Sequence, residues 1–181
     1  LKEDLFYDDL NRLLKVQYDD SNSGSTIAPL ELAYGSGGNI VWKSDVGNYR
    51  YGEGQAGPHA VTFAGGASYQ YDANGNQLSG DGRTIEYSVF DKAVRIEKAG
   101  MSTEFIYGIA HRRVVRIDNN DVDGLTTTYY LGSVELIEKP EGVVYRRNLA
   151  SAVIVDFQPS TGESTMKYLV KDHLGSIHNL T

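Results

Sequence analysis

The sequence contains no cysteine, which excludes disulfide bonds and metal sites built on thiolates and leaves the cellular compartment open. It also lacks an apolar run approaching the roughly 20 residues of a membrane-spanning helix, and no basic-then-apolar signal peptide opens it. Cations are scarce, because 17 Lys and Arg stand against 24 Asp and Glu, giving a net charge of −7. That charge disfavours a phosphate backbone as partner. We therefore expect no nucleic-acid partner and no membrane-spanning segment.

Tyrosine and glycine are abundant while proline is rare. The 181 residues include 13 Tyr and 20 Gly but 4 Pro, a composition typical of short strands joined by glycine turns. Helical periodicity is weak throughout, and the stretch LKEDLFYDDLNRLLKV favours strands over a helix. The sequence therefore predicts an all-β protein. Since it opens on Leu1 and stops just after an apolar run, we expect a segment of a longer protein.

A short pattern recurs along the chain, most fully in YQYDANGNQL at residues 69–78. A Tyr-Asp pair is followed, three residues after the Asp, by a slot that holds Gly, Asn or His. The copies are Tyr7, Asp8 and Asn11; Tyr18, Asp19 and Asn22; Tyr34 and Gly38, with Gly35 for Asp; Tyr71, Asp72 and Gly75; Tyr107 and His111, with Gly108 for Asp; and Asp172 and Gly175, with the tyrosine displaced to Tyr168.

The slot residues share a backbone property, since Gly, Asn and His are the types that most readily accept positive φ. We therefore predict a left-handed position in a tight turn, with the preceding Asp accepting hydrogen bonds from turn amides. Tyrosines from Tyr34 to Tyr168 recur every 16 to 23 residues, which is the length of two short strands and their turns. One repeat is thus predicted to be one antiparallel hairpin.

The organisation predicted for the whole chain is simple. Residues 1–181 form a single segment without a visible domain boundary, and its consecutive hairpins extend one curved, spirally wound sheet. The polar, Ser-rich residues 19–29 are predicted to be a long hairpin loop.

The repeats resemble the RHS or YD-repeat family, whose repeat reads roughly Tyr-x-Tyr-Asp-x-x-Gly-Arg/Asn-Leu. YQYDANGNQL is a nearly complete copy and FYDDLNRLL (6–14) is a good one, while DHLGS (172–176) resembles the closing part of the RHS core. Stretches similar to those between family repeats cover nearly the rest of the chain: SDVGNYRYG, GPHAV, SGDGRTIEYSVFDKAVRI, FIYGIAHRRVVR and TTTYYLGSVEL.

The resemblance implies a hollow β-shell that encloses a toxic C-terminal polypeptide, as in Tc toxin C components; teneurins carry a similar shell for adhesion. Implied partners are the enclosed toxin polypeptide and neighbouring repeats, in a secreted or cell-surface bacterial protein. The role implied is structural and non-enzymatic, with no cofactor, and an inward face of mixed polar and apolar side chains is expected. Exposed strand edges of a segment would favour self-association.

Two departures from the family pattern carry expectations. Gly35 replaces the Asp, and Ile109-Ala110 replace a more polar turn pair, so both hairpins are expected to be loosely turned. The autoproteolysis motif and the variable toxin domain of the family do not occur within these 181 residues. Neither autocleavage nor toxicity is therefore assigned to this chain.

Asn119, Asp121 and Asp123 resemble the first half of a calcium loop, with oxygen-bearing side chains at alternate positions before Gly124. The twelfth position, where a bidentate Glu closes such a site, is Tyr130. A solvated acidic hairpin tip explains the same residues, so no metal site is assigned.

A catalytic interpretation of Asp172, His173 and Ser176 is disfavoured, because neighbours on an extended strand point to opposite faces and Asp172 could not orient His173 there. If these residues begin a turn, Asp172 is expected to cap backbone amides instead. The other histidines, His59, His111 and His178, lack metal-ligand spacing. The arginines at 112, 113, 116, 146 and 147 are read as strand-face charges that pair with acids or stay solvated.

An alternative function stays open: a module that binds carbohydrate or protein through a tyrosine-rich sheet face, since aromatic rings stack on sugars. Tyrosine packing on the sheet face predicts the same pattern.

Overall fold

The computed structural model describes residues 2–19, 27–150, 152–171 and 177–180. In that part of the chain the regular elements are antiparallel β-strands and one short 3-10 helix, Ile109–His111, and no helix is long and apolar enough to cross a membrane. The all-β prediction is confirmed, including strands rather than a helix at the start of the chain. The strands fall into two compact units, Leu1–Gly82 and Arg83–Thr181, between which the sequence shows no boundary.

The first unit contains two runs of strands, each paired antiparallel in sequence order. One run comprises β1 (Lys2–Tyr7), β2 (Leu13–Asp19), β3 (Leu30–Tyr34), β4 (Ile40–Lys43) and β5 (Gly47–Asn48). The other comprises β6 (Arg50–Tyr51), β7 (Val61–Ala64), β8 (Ala67–Tyr71) and β9 (Gln77–Gly80).

The second unit is one antiparallel run in which every strand pairs with its neighbour in sequence. Its strands are β10 (Arg83–Tyr87), β11 (Ala93–Lys98), β12 (Met101–Tyr107), β13 (Arg113–Asn120), β14 (Gly124–Leu131), β15 (Val134–Lys139), β16 (Gly142–Leu149), β17 (Val153–Gln158), β18 (Glu163–Lys171) and β19 (Ile177–Leu180).

The connection between β2 and β3 coincides with the predicted loop. β2 ends at Asp19, Ile27–Pro29 lie outside strands, and residues 20–26 are outside the described part of the chain. The 19–29 loop therefore stays a prediction. Two-residue turns close other hairpins: at Ala99-Gly100, φ is 50° and 82°, the mirror-image geometry that matches the twist of paired strands.

Few side chains are buried in either unit. Among the described residues, the buried ones are Val16, Thr62, Ala64, Thr128, Ile137 and Val144. Large apolar side chains on the C-terminal strands are exposed instead: Met166 at 60%, Tyr168 at 55% and Leu149 at 48%. The strand pairings, rather than a thick apolar core, therefore hold these sheets together.

Candidate functional site: the repeated turn and the two sheet faces

The first copy of the motif closes the β1–β2 hairpin. The Asp8 amide donates to the Arg12 carbonyl at 2.9 Å, and the Asn11 amide donates back to the Asp8 carbonyl at 2.9 Å. One carboxylate oxygen of Asp8 accepts from the amides of Leu10 and Arg12 at 3.0 and 2.8 Å, and the other accepts from the Arg12 guanidinium at 2.7 Å. The aspartate thus organises the turn that follows it.

The copy at β8–β9 repeats this geometry. The Asp72 amide donates to the Asn76 carbonyl at 2.9 Å, and the Gly75 amide donates to the Asp72 carbonyl at 3.1 Å. The Asp72 carboxylate accepts from the amides of Asn74 and Asn76 at 2.9 and 2.8 Å and from the Asn76 side chain at 2.9 Å. The same short acid therefore builds both turns, although the residue four positions later differs.

These hydrogen bonds stabilise the ionised form of both carboxylates. The pKa of Asp8 is lowered chiefly by the side-chain hydrogen bond from Arg12, and that of Asp72 chiefly by the side-chain hydrogen bond from Asn76. Backbone amides add to the lowering of both pKa values. Both acids are consequently charged turn caps at neutral pH.

Where glycine replaces the aspartate, the turn is still closed. The Gly35 amide donates to the Asn39 carbonyl at 2.9 Å, and the Gly108 amide donates to the Arg112 carbonyl at 2.8 Å. The expectation of a loosely turned hairpin is therefore wrong at Gly35, where the Gly38 amide also donates to the Gly35 carbonyl at 3.0 Å. At Gly108 the second turn bond is longer, from the Arg112 amide to the Ile109 carbonyl at 3.5 Å. In each turn a valine occupies the space that an aspartate side chain would need. A Cβ added at Gly35 would lie 3.0 Å from a Val41 methyl, and a Cβ added at Gly108 would lie 2.9 Å from a Val114 methyl.

The slot residues that the structure describes all have positive φ: Asn11 at 58°, Gly38 at 85°, Gly75 at 88° and His111 at 53°. Tyr18 and Asp19 lie at the end of β2, where Tyr18 pairs with Glu3 without a bulge. The remaining motif residues, Asn22, Asp172 and Gly175, are outside the described residues, as are His173 and Ser176.

A further copy, at β10–β11, is missing from the sequence pattern. The Ser88 amide donates to the Lys92 carbonyl at 2.8 Å, the Asp91 amide donates to the Ser88 carbonyl at 3.1 Å, and φ at Asp91 is 56°. The Ser88 hydroxyl oxygen accepts from the Lys92 amide at 3.2 Å, in the role of the aspartate. Tyr87, in the regular tyrosine spacing, was the sequence signal for this turn.

The motif tyrosines have a second role that the sequence did not reveal. A register shift, where the hairpin bulges, occurs at the motif residues Tyr7, Tyr34, Tyr71 and Tyr107 and also at Tyr51 and Tyr87, which share the regular tyrosine spacing; Tyr18 and Tyr168 pair without a shift. Such bulges re-aim a side chain. Four of the hydroxyls donate to a backbone carbonyl of the preceding hairpin: Tyr34 to Leu13 at 2.9 Å, Tyr51 to Ile40 at 2.6 Å, Tyr71 to Val61 at 2.8 Å and Tyr107 to Ala93 at 2.8 Å.

The acceptor of each bond follows a rule. Leu13, Ile40, Val61 and Ala93 are the residues paired with the bulge tyrosine of the hairpin before: Tyr7, Tyr34, Tyr51 and Tyr87. Every such tyrosine thus fastens its own hairpin to the previous one at the previous bulge. Burial raises the pKa of Tyr51 and Tyr71, so these hydroxyls remain donors at physiological pH.

Among the described residues, the strands from β15 to β18 have no tyrosine bond of this kind. They present two contrasting faces. On the charged face, the Arg146 guanidinium holds the Asp156 carboxylate through two hydrogen bonds of 2.7 and 2.9 Å, and the Lys167 ammonium lies 3.6 Å away. The hydrogen bond from Arg146 lowers the pKa of Asp156. On the apolar face, the register pairs Tyr145 with Phe157.

The calcium candidate does not assemble into a ligand set. The Asn120 side-chain oxygen accepts from the amides of Val122 and Asp123 at 3.0 and 2.7 Å, so a side chain outside the candidate set builds this turn. Within the described ranges, neither Asn119 nor Asp121 makes a hydrogen bond to this turn. In the described parts of the chain, no group of three or more His, Asp or Glu is placed to hold a metal ion.

Histidines and arginines have structural partners. A ring nitrogen of His59 lies 2.7 Å from the Asn39 side-chain oxygen, and the His111 ring stacks on Phe90 with centroids 4.0 Å apart. Of His178 the structure gives the backbone, in β19. Arg116 pairs with Asp118 at 2.7 Å, and Arg113 lies over the Phe105 ring at 4.3 Å.

No known protein family matches the sequence, and no curated protein does either. Solved structures match the fold. The chain is similar to one in the crystal structure of TcdB2-TccC3-TEV, with a TM-score of 0.60 and 11% identity over 97% of this chain and 12% of that one. A TcdB2-TccC3-Cdc42 crystal structure matches with a TM-score of 0.54 and 11% identity over 98% of this chain and 12% of the other.

A chain in a Photorhabdus luminescens Tc holotoxin pore with mutated TccC3 is also similar, at a TM-score of 0.44 and 12% identity over 98% of this chain and 14% of that one; this score is too low to carry an argument. At such identities the likeness is one of fold alone. The match covers about one eighth of the length of each of those chains, and over that segment the strand arrangement is similar.

Proposed function

We propose that the chain is a non-enzymatic segment of the wall of a β-shell, and that the shell encloses a toxin polypeptide in a secreted bacterial protein. The observation that carries the proposal is the bond from four of the bulge tyrosines to the previous hairpin, made by Tyr34, Tyr51, Tyr71 and Tyr107. A bond that fastens a hairpin to its predecessor and recurs along the chain lets a sheet grow hairpin by hairpin, which suits a wall. The fold likeness to chains of TcdB2-TccC3 structures supports the same role.

The motif residues serve assembly in this proposal. The aspartates of the first and fourth copies, Asp8 and Asp72, fix the turn, the slot residue reverses the chain, and the tyrosine joins neighbours. Both compact units belong to the same wall, so residues 1–181 act as one structural segment. Its partners are the neighbouring repeats and the enclosed polypeptide, and it requires no cofactor.

Containment follows from a wall one sheet thick. Such a wall presents one face to an interior and one to solvent, and neither face needs the packing density of a protein core. The few buried side chains and the exposed apolar residues of the C-terminal strands agree with this arrangement. An enclosed polypeptide would be separated from water, proteases and the producing cell.

Sugar binding by the motif tyrosines is less well supported. Tyr34, Tyr51, Tyr71 and Tyr107 are half-buried, and their hydroxyls already donate to backbone carbonyls. A ring engaged in this way is not free to stack on a sugar and donate a hydrogen bond to it.

Limited proteolysis of the full-length protein that contains this chain tests the proposal. We expect a polypeptide that resists a non-specific protease in the intact protein. Ile96→Pro should expose it, because proline within paired β11 removes a ladder hydrogen bond and opens the wall. Ile96→Val, which keeps the strand, should leave the protection intact. Equal digestion of the polypeptide in wild type and Ile96→Pro would contradict containment.

A further inference from the structure

A groove of about 450 Å³ lies on the apolar face of the second unit, formed by strands β15 to β18. We propose that this groove binds an extended polypeptide segment carrying a carboxylate next to apolar side chains. The groove is lined by Val134, Tyr145, Arg147, Val155, Phe157 and Ser164.

The register places the lining in two rows across the strands. Arg147 lies between Val134 on β15 and Val155 on β17, and Tyr145 lies beside Phe157, which is followed by Ser164. Tyr145 and Phe157 are 40% and 39% exposed. Two half-exposed aromatic rings on adjacent strands form an apolar platform, the kind of surface that gains free energy when a partner covers it.

The charge of the groove identifies the chemistry of the partner. Arg147 is exposed and has no acidic partner among the described residues, whereas its neighbour Arg146, on the opposite face, is neutralised by Asp156. A guanidinium presents paired donors that match a carboxylate, and aromatic and aliphatic neighbours strengthen such a bond by excluding water. The groove therefore lacks an anion that a ligand would supply.

Dimensions favour an extended chain. Four strands spaced about 4.8 Å apart span about 14 Å, the length of about four extended residues at 3.3 Å each. Exposed apolar side chains continue beyond the groove on the same face: Leu149, Met166 and Tyr168. A polypeptide with alternating apolar residues could follow this surface past the arginine. The inference rests on the proposed function, because the ligand for this groove would be the polypeptide that the shell is proposed to enclose.

Fluorescence anisotropy with a labelled peptide tests the groove. The probe alternates Leu and Phe around one central Glu, and the matched probe has Gln in that position. We expect the wild-type chain to bind the Glu peptide about fivefold to tenfold more tightly than the Gln peptide, as for one charge-assisted hydrogen bond in a partly exposed site. Arg147→Gln should abolish this preference, and Phe157→Ser should weaken both peptides.

Lys167→Gln is the matched control, because it removes a cation from the charged face of the same strands. It should leave the preference unchanged. Circular dichroism should show that all the variants keep the wild-type strand content. Equal affinities for the two peptides, equal effects of Arg147→Gln and Lys167→Gln, or no binding would overturn the proposal. So would sedimentation data showing a dimer that Phe157→Ser dissociates, because a second copy would then cover the groove. If the groove binds no peptide but the enclosed polypeptide is still protected from protease, the groove proposal fails while the containment proposal stands.

Discussion

Removal of the Tyr107 hydroxyl is predicted to loosen one hairpin from its predecessor. This hydroxyl donates to the Ala93 carbonyl at 2.8 Å, and both residues are half-buried. Tyr107→Phe deletes that bond but keeps the ring, including the edge contact with Phe90 at 5.8 Å. A neutral hydrogen bond contributes about 1 kcal/mol to the free energy of unfolding, so the variant should be less stable by about that amount.

Urea denaturation followed by circular dichroism measures this loss. The midpoint should fall by about 0.5 M at an unchanged slope, since no additional surface is exposed by unfolding. Hydrogen exchange should rise at the amides of β11 and β12 more than elsewhere in the second unit, because the bond joins their two hairpins.

Tyr145→Phe is the matched control. The Tyr145 hydroxyl has no hydrogen bond within the described residues, and the side chain is 40% exposed. Its removal should change stability by less than about 0.5 kcal/mol. The reasoning is refuted if both variants unfold at the same urea concentration, since the tyrosine bond would then contribute nothing to the joining of hairpins.

Three further predictions concern the turns. Hydrogen bonds lower the pKa of Asp72 in the folded state, so the stability that its carboxylate contributes is present above the unfolded-state pKa of about 3.9 and is lost as pH falls through the lower folded-state pKa. In acid titrations the Asp72→Asn variant should therefore lose less stability below about pH 4 than the wild type. Parallel stability curves for the two proteins would contradict this. Gly108→Ala should cost about 1–2 kcal/mol because its Cβ meets a Val114 methyl, and Val114→Ala in the same chain should recover part of the loss; additive urea midpoints would exclude the contact. Ala99→Asn should gain about 1 kcal/mol because φ at Ala99 is 50°, a value that Asn tolerates better; a lower melting temperature would count against the strained turn.

Local features were readable from the sequence because they repeat and are short in range. Alternation placed Tyr69 and Tyr71 on the same strand, β8, and the Gly, Asn and His of the slot marked left-handed backbone at Asn11, Gly75 and His111. Each depends on a few neighbouring residues. The same reasoning overlooked the Ser88 turn, because Ser and Asp there replace the residue types that defined the pattern.

Long-range contacts could not be derived in the same way. The bond from Tyr34 to the Leu13 carbonyl spans 21 residues and depends on the bulge that shifts the register at Tyr34. Nothing in the local sequence fixes that shift. The valines that fill the place of an aspartate at Gly35 and Gly108 also come from the returning strand, so the expectation of loose turns overlooked them.

The two faces of β15 to β18 were likewise invisible until the register was known. The sequence shows the pair Arg146-Arg147 as one basic spot. Because neighbouring side chains in a strand point to opposite faces, one arginine meets Asp156 and the other lies in the apolar groove. Strand pairing decides which charge is neutralised.

A cryo-electron microscopy map of the full-length protein that contains this chain tests the central claim most directly. The account predicts that the strands from β1 to β19 form part of a wall around an enclosed volume, and that this volume holds additional polypeptide density. A map in which both faces of these sheets contact solvent or folded domains, with no enclosed volume, would contradict it.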